Sequence, residues 1–244
     1  MNDILIEHHD GWAELTLNRP ARRNAVHLNL ARELLAALRA LAEQAELRAL
    51  VIGGAGGAFC SGLDLKEFNT DPPPAWCGEF NQLWEDVHVA LMESPQVLVT
   101  AVQGGAINAG AALALAGDLM VAGRQAFVQV GEAQFGMPAP RNVSWLVLRH
   151  GEAVAMRLCL LADRVGADEL LRLNLATEIT DEAEVLPRAR AIAQRLAGFP
   201  AAGLRGIKAS VRSSALPGGA RPWFQCALAA APAAASFPPA RVSA

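Results

Sequence analysis

The chain has 244 residues, 52% hydrophobic and 18% charged, enough to bury a sizeable core without disulfides in one large domain, alone or with a small appendage. A net charge of −3 with no basic block excludes a typical nucleic-acid binder. The four cysteines (Cys60, Cys77, Cys159, Cys226) lack the CxxC or Cys/His spacing of a zinc site and read as packed side chains in a reducing compartment.

No apolar run approaches the roughly 20 residues of a membrane span. The start, MNDILIEHHDGW, shows no basic-then-apolar leader. The expectation is a cytoplasmic enzyme with no membrane partner. Tyrosine is absent, which removes any mechanism that needs a phenol acid.

Residues 4–7 and 12–17 alternate apolar and polar positions around Asp10-Gly11 and predict a β-hairpin, ended by Arg19-Pro20. Leu28, Leu30, Leu34, Leu35, Leu38 and Leu41 recur at helical spacing and predict an amphipathic helix over 27–45, begun by His27. A short buried strand over 49–52 runs into a loop of small residues, 53–68, GGAGGAFCSGLDLKEF, with a short helix from about Leu65. A stiff loop, DPPP at 71–74, precedes a helix over 76–93. A strand over 97–102 feeds a second small-residue stretch, 101–118, AVQGGAINAGAALALAGD. Its uncharged part, 110–116, predicts a buried helix, and 119–122 a strand.

This order of strands and helices predicts parallel pairing with right-handed crossovers. From Glu152 onward the prediction is mostly helical: 152–161, 167–173, 182–197, 202–213 and about 221–235. Phe199-Pro200 and the segment 216–219 separate the last helices. The tail, FPPARVSA, is expected to fray or to dock on a neighbour.

The two small-residue loops share a design. In each, an apolar strand ends where side chains are small, so a ligand can approach the backbone. A helix then starts, with free N–H groups and partial positive charge at its first turn. Two such loops facing each other offer two N–H donors to one oxygen, which is an oxyanion hole. Alone, each loop is a weak signal, because most glycine-rich strand-to-helix turns are only turns.

Three runs carry a resemblance: LNRPARRNAV at 17–26, AFCSGLDLKEF at 58–68 and AINAGAALALAGDLMVA at 106–122. Their joint order and spacing resemble the crotonase, or enoyl-CoA hydratase/isomerase, superfamily over most of the chain, least so after about Gly219. The resemblance implies an α/β fold: a spiral of ββα repeats over 1–185, then a helical region over 186–244 that mediates trimer contacts. It implies a homotrimer or a dimer of trimers. It also implies an acyl-CoA substrate that brings its own coenzyme A, with no separate cofactor and no metal.

By the same resemblance the oxyanion donors are the N–H groups of Leu63 and Ala109. The second motif reads Asn108-Ala109-Gly110 where the family usually has three glycines, and a backbone donor is indifferent to that change. Arg23, Ala25, Ser61, Gly62, Asp64, Lys66 and Gly110 match positions around the CoA and acyl group. Arg23 and Lys66 read equally well as surface charges. Asp64 reads more readily as ordering its loop or capping the helix after it.

Hydratases of this family use two glutamates. The first would fall at Ala112, which cannot transfer a proton. The second matches Glu132, in the Glu-x-x-x-Gly pattern of GEAQFGMPAP, unless that glutamate is a solvated loop residue. One carboxylate, with a first motif close to SAGLDL, is similar to the isomerases that convert 3-enoyl-CoA to 2-enoyl-CoA. Ser61 and Cys60 lack a histidine to activate them and read as packing residues. Asp163 reads as structural, and Trp145 with the run 143–148 as core or acyl-pocket wall. Two alternatives stay open. One is other crotonase chemistry (hydratase with relocated acids, hydrolase or decarboxylase), which needs a second acid such as Asp64, Glu67 or Asp71. The other is an acyl-CoA-binding protein without turnover.

Overall fold

The protein is described here by a computed structural model covering residues 2–70, 74–216 and 218–230. Part of the DPPP loop, the end of the last predicted helix and the tail lie outside the described residues. Strands β1 (Ile4–His9) and β2 (Trp12–Leu17) form the predicted hairpin, turning at Gly11 with φ +75°. Then come α1 (Leu28–Ala42), β3 (Ala49–Gly54), α2 (Leu65–Phe68), α3 (Cys77–Glu93) and β4 (Val97–Val102), all close to their predicted bounds. His27 does begin α1: its side chain accepts the Leu30 N–H at 3.4 Å.

The middle of the chain holds more strand than the sequence suggested. After β5 (Gly105–Ile107) come α4 (Ala109–Leu115), β6 (Leu119–Gly123) and β7 (Phe127–Gln129). Helix α5 (Pro140–Leu161) starts well before Glu152, with proline in its first turn. Gly151, at φ 81° and ψ 170°, interrupts it. Then follow β8 (Arg164–Gly166), α6 (Ala167–Arg172), β9 (Glu178–Thr180), α7 (Val185–Ala197), α8 (Ala201–Ala215) and α9 (Ala220–Ala230). The region past Glu152 is therefore not purely helical, since it supplies β8 and β9.

Two sheets result. The larger has the order β1-β2-β3-β4-β6-β9, parallel except for its first pair. The smaller has the order β5-β7-β8. Successive passes of the chain place a strand in the large sheet, a strand in the small one and then a helix, as in β4-β5-α4 and β6-β7-α5. This is the expected ββα repeat in a mixed α/β fold.

Both faces of the large sheet are covered, which is why its strands read as nearly unbroken apolar runs. Alternate residues Leu15, Leu17, Leu50, Ile52, Leu98 and Val102 join the main core with α1, α3, α4 and α5. Their neighbours Trp12, Ala49, Val51, Val99, Ala101 and Val121 pack on Val185, Ala189 and Ala193 of α7. The boundary expected at 185/186 thus falls at the first turn of a helix that closes the second face of the sheet.

The loop after β3 is held by one side chain. Asn24 is fully buried and has φ +54°. Its Nδ2 donates to Ala55 O at 2.9 Å and Ala58 O at 2.7 Å, and its Oδ1 accepts the Arg19 N–H at 2.9 Å. Asn24→Ala removes three hydrogen bonds to part-buried backbone groups and is expected to cost about 2–4 kcal/mol in chemical denaturation. A cost below ~1 kcal/mol would mean that water replaces the amide.

Candidate active site

The first loop is shaped by close backbone approach. A Cβ on Gly54 would lie 2.2 Å from Ala58 O. Cys60 then pairs in parallel with Ala106, donating to Gly105 O at 3.1 Å and accepting from Ile107 N at 3.0 Å. Gly62, at φ +96°, reverses the direction in which the chain presents its amides. Val26 donates to Gly62 O at 2.7 Å and accepts from Asp64 N at 2.8 Å. In a parallel bridge of this kind the N–H of Leu63 itself points away from Val26. It donates to no backbone carbonyl among the described residues.

The second loop is pressed against the first. A Cβ on Gly110 would lie 2.2 Å from Cys60 O, and one on Gly62 would lie 2.9 Å from Ile107 O. Asn108 adopts φ 50° and ψ −108° at the start of α4, a conformation rare for a side-chain-bearing residue. Its N–H donates to Gln129 O at 2.8 Å, and its Oδ1 accepts the Gly131 N–H at 2.8 Å. The Ala109 N–H, at the first position of α4, also donates to no backbone carbonyl among the described residues.

The bond from Asn108 to Gly131 sets Glu132 beside this loop. Glu132 opens a 3-10 turn that ends at Gly136, which has φ +68°. That left-handed position explains the Glu-x-x-x-Gly spacing. One carboxylate oxygen, Oε1, accepts from Asn142 Nδ2 at 2.9 Å. The other, Oε2, is out of contact with water and without a partner among the described residues. Burial pushes the carboxyl up to about 7, against the lowering effects of its own backbone N–H and of the Asn142 amide. Glu132 is therefore not a solvated loop residue.

The other predicted residues divide into two groups. Gly62 and Gly110 are the points of close contact between the loops. Ala25 is buried, and its carbonyl accepts from Arg19 Nη1. Ser61 donates to Arg22 O at 3.3 Å, and its N–H to Arg23 O at 3.0 Å. Arg23 and Lys66 are exposed and in none of the ion pairs among the described residues.

Asp64 sits at the start of α2 but makes no capping bond. It is buried against Arg19 at 3.1 Å, so it orders its loop through an ion pair and not through a cap. Glu67 shares the same guanidinium at 3.5 Å. Two of the three acids that a second catalytic role would draw on are thus tied to Arg19, and Asp71 lies outside the described residues. Ala112 is buried in α4. Burial pushes the Cys60 thiol up to about 12, as for a packing residue. Trp145 is fully buried in the core.

Asn24, Asn142 and the side chain of Asn108 escaped the sequence reading. Asn142 left a trace: with Trp145, Leu146 and Arg149 it shares one face of α5, and an asparagine on an apolar face needs partners.

A family profile described as enoyl-CoA hydratase/isomerase matches residues 7–219. The chain belongs to this family. It is 31% identical over 219 residues to the 1,2-epoxyphenylacetyl-CoA isomerase of Escherichia coli K12, covering 88% of this chain and 84% of that one. It is 34% identical over 215 residues to a probable enoyl-CoA hydratase of Rhodobacter capsulatus, covering 84% and 79%. Among solved structures, an enoyl-CoA hydratase/isomerase from Xanthobacter autotrophicus Py2 superposes with a TM-score of 0.84 at 28% identity, covering 93% and 85%. A monofunctional enoyl-CoA isomerase from Mycobacterium smegmatis gives 0.76 at 26%, covering 92% and 99%. The protein is thus an acyl-CoA enzyme of the enoyl-CoA hydratase/isomerase family. Relatives carry both names.

Burial of Glu132 makes a stability prediction. Its folded pKa is raised from 4.5 to about 7, so the native state binds the extra proton between those values. Stability contributed by the protonated form is present below about pH 4.5 and is lost as pH rises through 7. Glu132→Gln is expected to lack this slope and to be more stable than wild type at pH 8, by at most about 3 kcal/mol. Denaturant titrations of both proteins at pH 4.5 and pH 8 check it, and parallel pH dependence would count against a buried acid.

Proposed function

We propose that this enzyme shifts the double bond of a 3-enoyl-CoA to give the 2-enoyl-CoA. The observation that carries the reading is one half-buried carboxylate beside the two loops, Glu132, in no ion pair among the described residues, with a buried free oxygen and a pKa near neutrality, where Ala112 stands in place of a second acid. A double-bond shift needs one base that takes a proton and returns it. Hydration also needs a water molecule to be activated and positioned.

In this mechanism Glu132 Oε2 removes a proton from C2. The C–H electron pair moves into the thioester, and the C3–C4 double bond extends it to a dienolate. The Leu63 and Ala109 N–H groups donate to the thioester oxygen as it gains charge. Collapse of the dienolate forms the C2–C3 double bond and takes the proton back at C4, so no atom is gained or lost. A positioned carboxylate is worth about 10²–10⁴-fold, and each oxyanion donor roughly 10²–10³-fold. Arg23 and Lys66 are the proposed contacts to CoA phosphates.

The test pairs a 3-enoyl-CoA with a 2-enoyl-CoA, using wild type and Glu132→Gln. Isomerisation is expected to fall at least about 10²-fold in the variant, with little hydration by either protein. In wild type, kcat/KM should rise about tenfold per pH unit below 7 and level off above it, because the base must be ionised. Hydration that survives Glu132→Gln would move the acid elsewhere. Acyl-CoA binding without turnover of either substrate would favour a binding protein.

A further inference from the structure

We propose that Asn142 is a positioning residue that couples the catalytic base to the oxyanion donor. The proposal rests on the isomerase reading of Glu132 and Ala109. Asn142 is 2% exposed, and its Nδ2 makes two bonds: to Glu132 Oε1 at 2.9 Å and to Asn108 O at 3.1 Å. The Asn108 carbonyl can only accept, and so can the ionised Glu132 carboxylate, so the amide orientation is fixed by chemistry, with the NH₂ group facing both of them. Its two hydrogens are matched by two acceptors.

Each bond has a consequence for the reaction. The first occupies Oε1 and leaves Oε2 as the oxygen that can take a proton. The second acts through a peptide group. Asn108 C=O and Ala109 N–H belong to the same planar trans peptide, so they point in opposite directions. Holding the carbonyl therefore aims the N–H. That carbonyl also accepts the Ala112 N–H at 3.0 Å. Two donors on one carbonyl polarise the peptide and strengthen its N–H as a donor.

The amide is placed by a rigid support. Its chain neighbour Arg141 pairs with Glu85 of α3 at 3.1 Å. One turn on, Trp145 Nε1 donates to His88 Nδ1 of α3 at 2.9 Å. Asn142 thus sits between two buried anchors on one helix, which limits its own freedom.

The experiment compares Asn142→Ala, Asn142→Asp and Glu132→Gln with wild type, reading kcat, KM and the pH profile of kcat/KM with a 3-enoyl-CoA. Asn142→Ala should lower kcat by 10–100-fold (order of magnitude) with KM changed less than about threefold, because both effects act on the charged transition state. Its acidic limb should move to higher pH, since a bond that favours the ionised carboxylate is gone. Asn142→Asp keeps the volume, so it reports even where the alanine variant folds poorly. It places a like charge beside Glu132 and should move the limb further up. A limb that stays at the wild-type pH in both variants overturns the proposal, whatever happens to kcat, and leaves Asn142 as packing. Wild-type turnover in Glu132→Gln overturns the isomerase reading itself. Loss of activity in Glu132→Gln with wild-type behaviour in both Asn142 variants overturns the coupling alone.

Discussion

The site depends on how closely two backbone segments approach. Gly110 lies so near the Cys60 carbonyl that a methyl group there would fall 2.2 Å from the oxygen. Such contact is open only to glycine. It follows from the parallel pairing of Cys60 with Ala106, which continues the two loops side by side beyond the ends of β3 and β4. The amides that the two loops leave free are backbone groups, so their geometry is inherited from the sheet and not from side-chain rotamers. Alanine at 109 leaves such an amide in place just as glycine would.

The carboxylate is built by the opposite principle. Nothing in the local sequence makes Glu132 an unusual acid. Removal from water does, and only one of its oxygens is given a partner. A fully satisfied carboxylate would be a poor base at neutral pH, and an unsatisfied one would be costly to bury. One bond from Asn142 lies between these limits. Two other described acids near the loop, Asp64 and Glu67, both pair with Arg19 and so hold the loop in place.

Long periodic elements were legible from the residues. The hairpin, α1 and α3 carry periods of two or of 3.6 over many residues, and both loops stood out by their glycines and alanines. Strands β5, β7, β8 and β9 were missed because three residues contain too little alternation to register. The front half of α5 was read as an apolar run, since Gly151 separates it from the more regular half behind it. Glu132, Leu63 and Ala109 came from the family resemblance and not from periodicity. Asn24, Asn108 and Asn142 were invisible for a common reason: each bonds to backbone groups distant in sequence, and no local pattern encodes such a partner. Asp64 shows the same limit, since its position suggested a cap and its partner proved to be Arg19.

Gly151 also divides α5 into two parts with different obligations. Ahead of it, Arg141, Asn142 and Trp145 are committed to the interior. Behind it, Met156, Leu160 and Leu161 face outward, at 53%, 70% and 60% exposure. A backbone at ψ 170° carries no continuous helical ladder across the break, so a shift or substitution in the rear segment is not transmitted as a rotation of the front one. Contacts made by these outward-facing side chains therefore load the rear segment, while the register of the acid–amide pair is set by the front one.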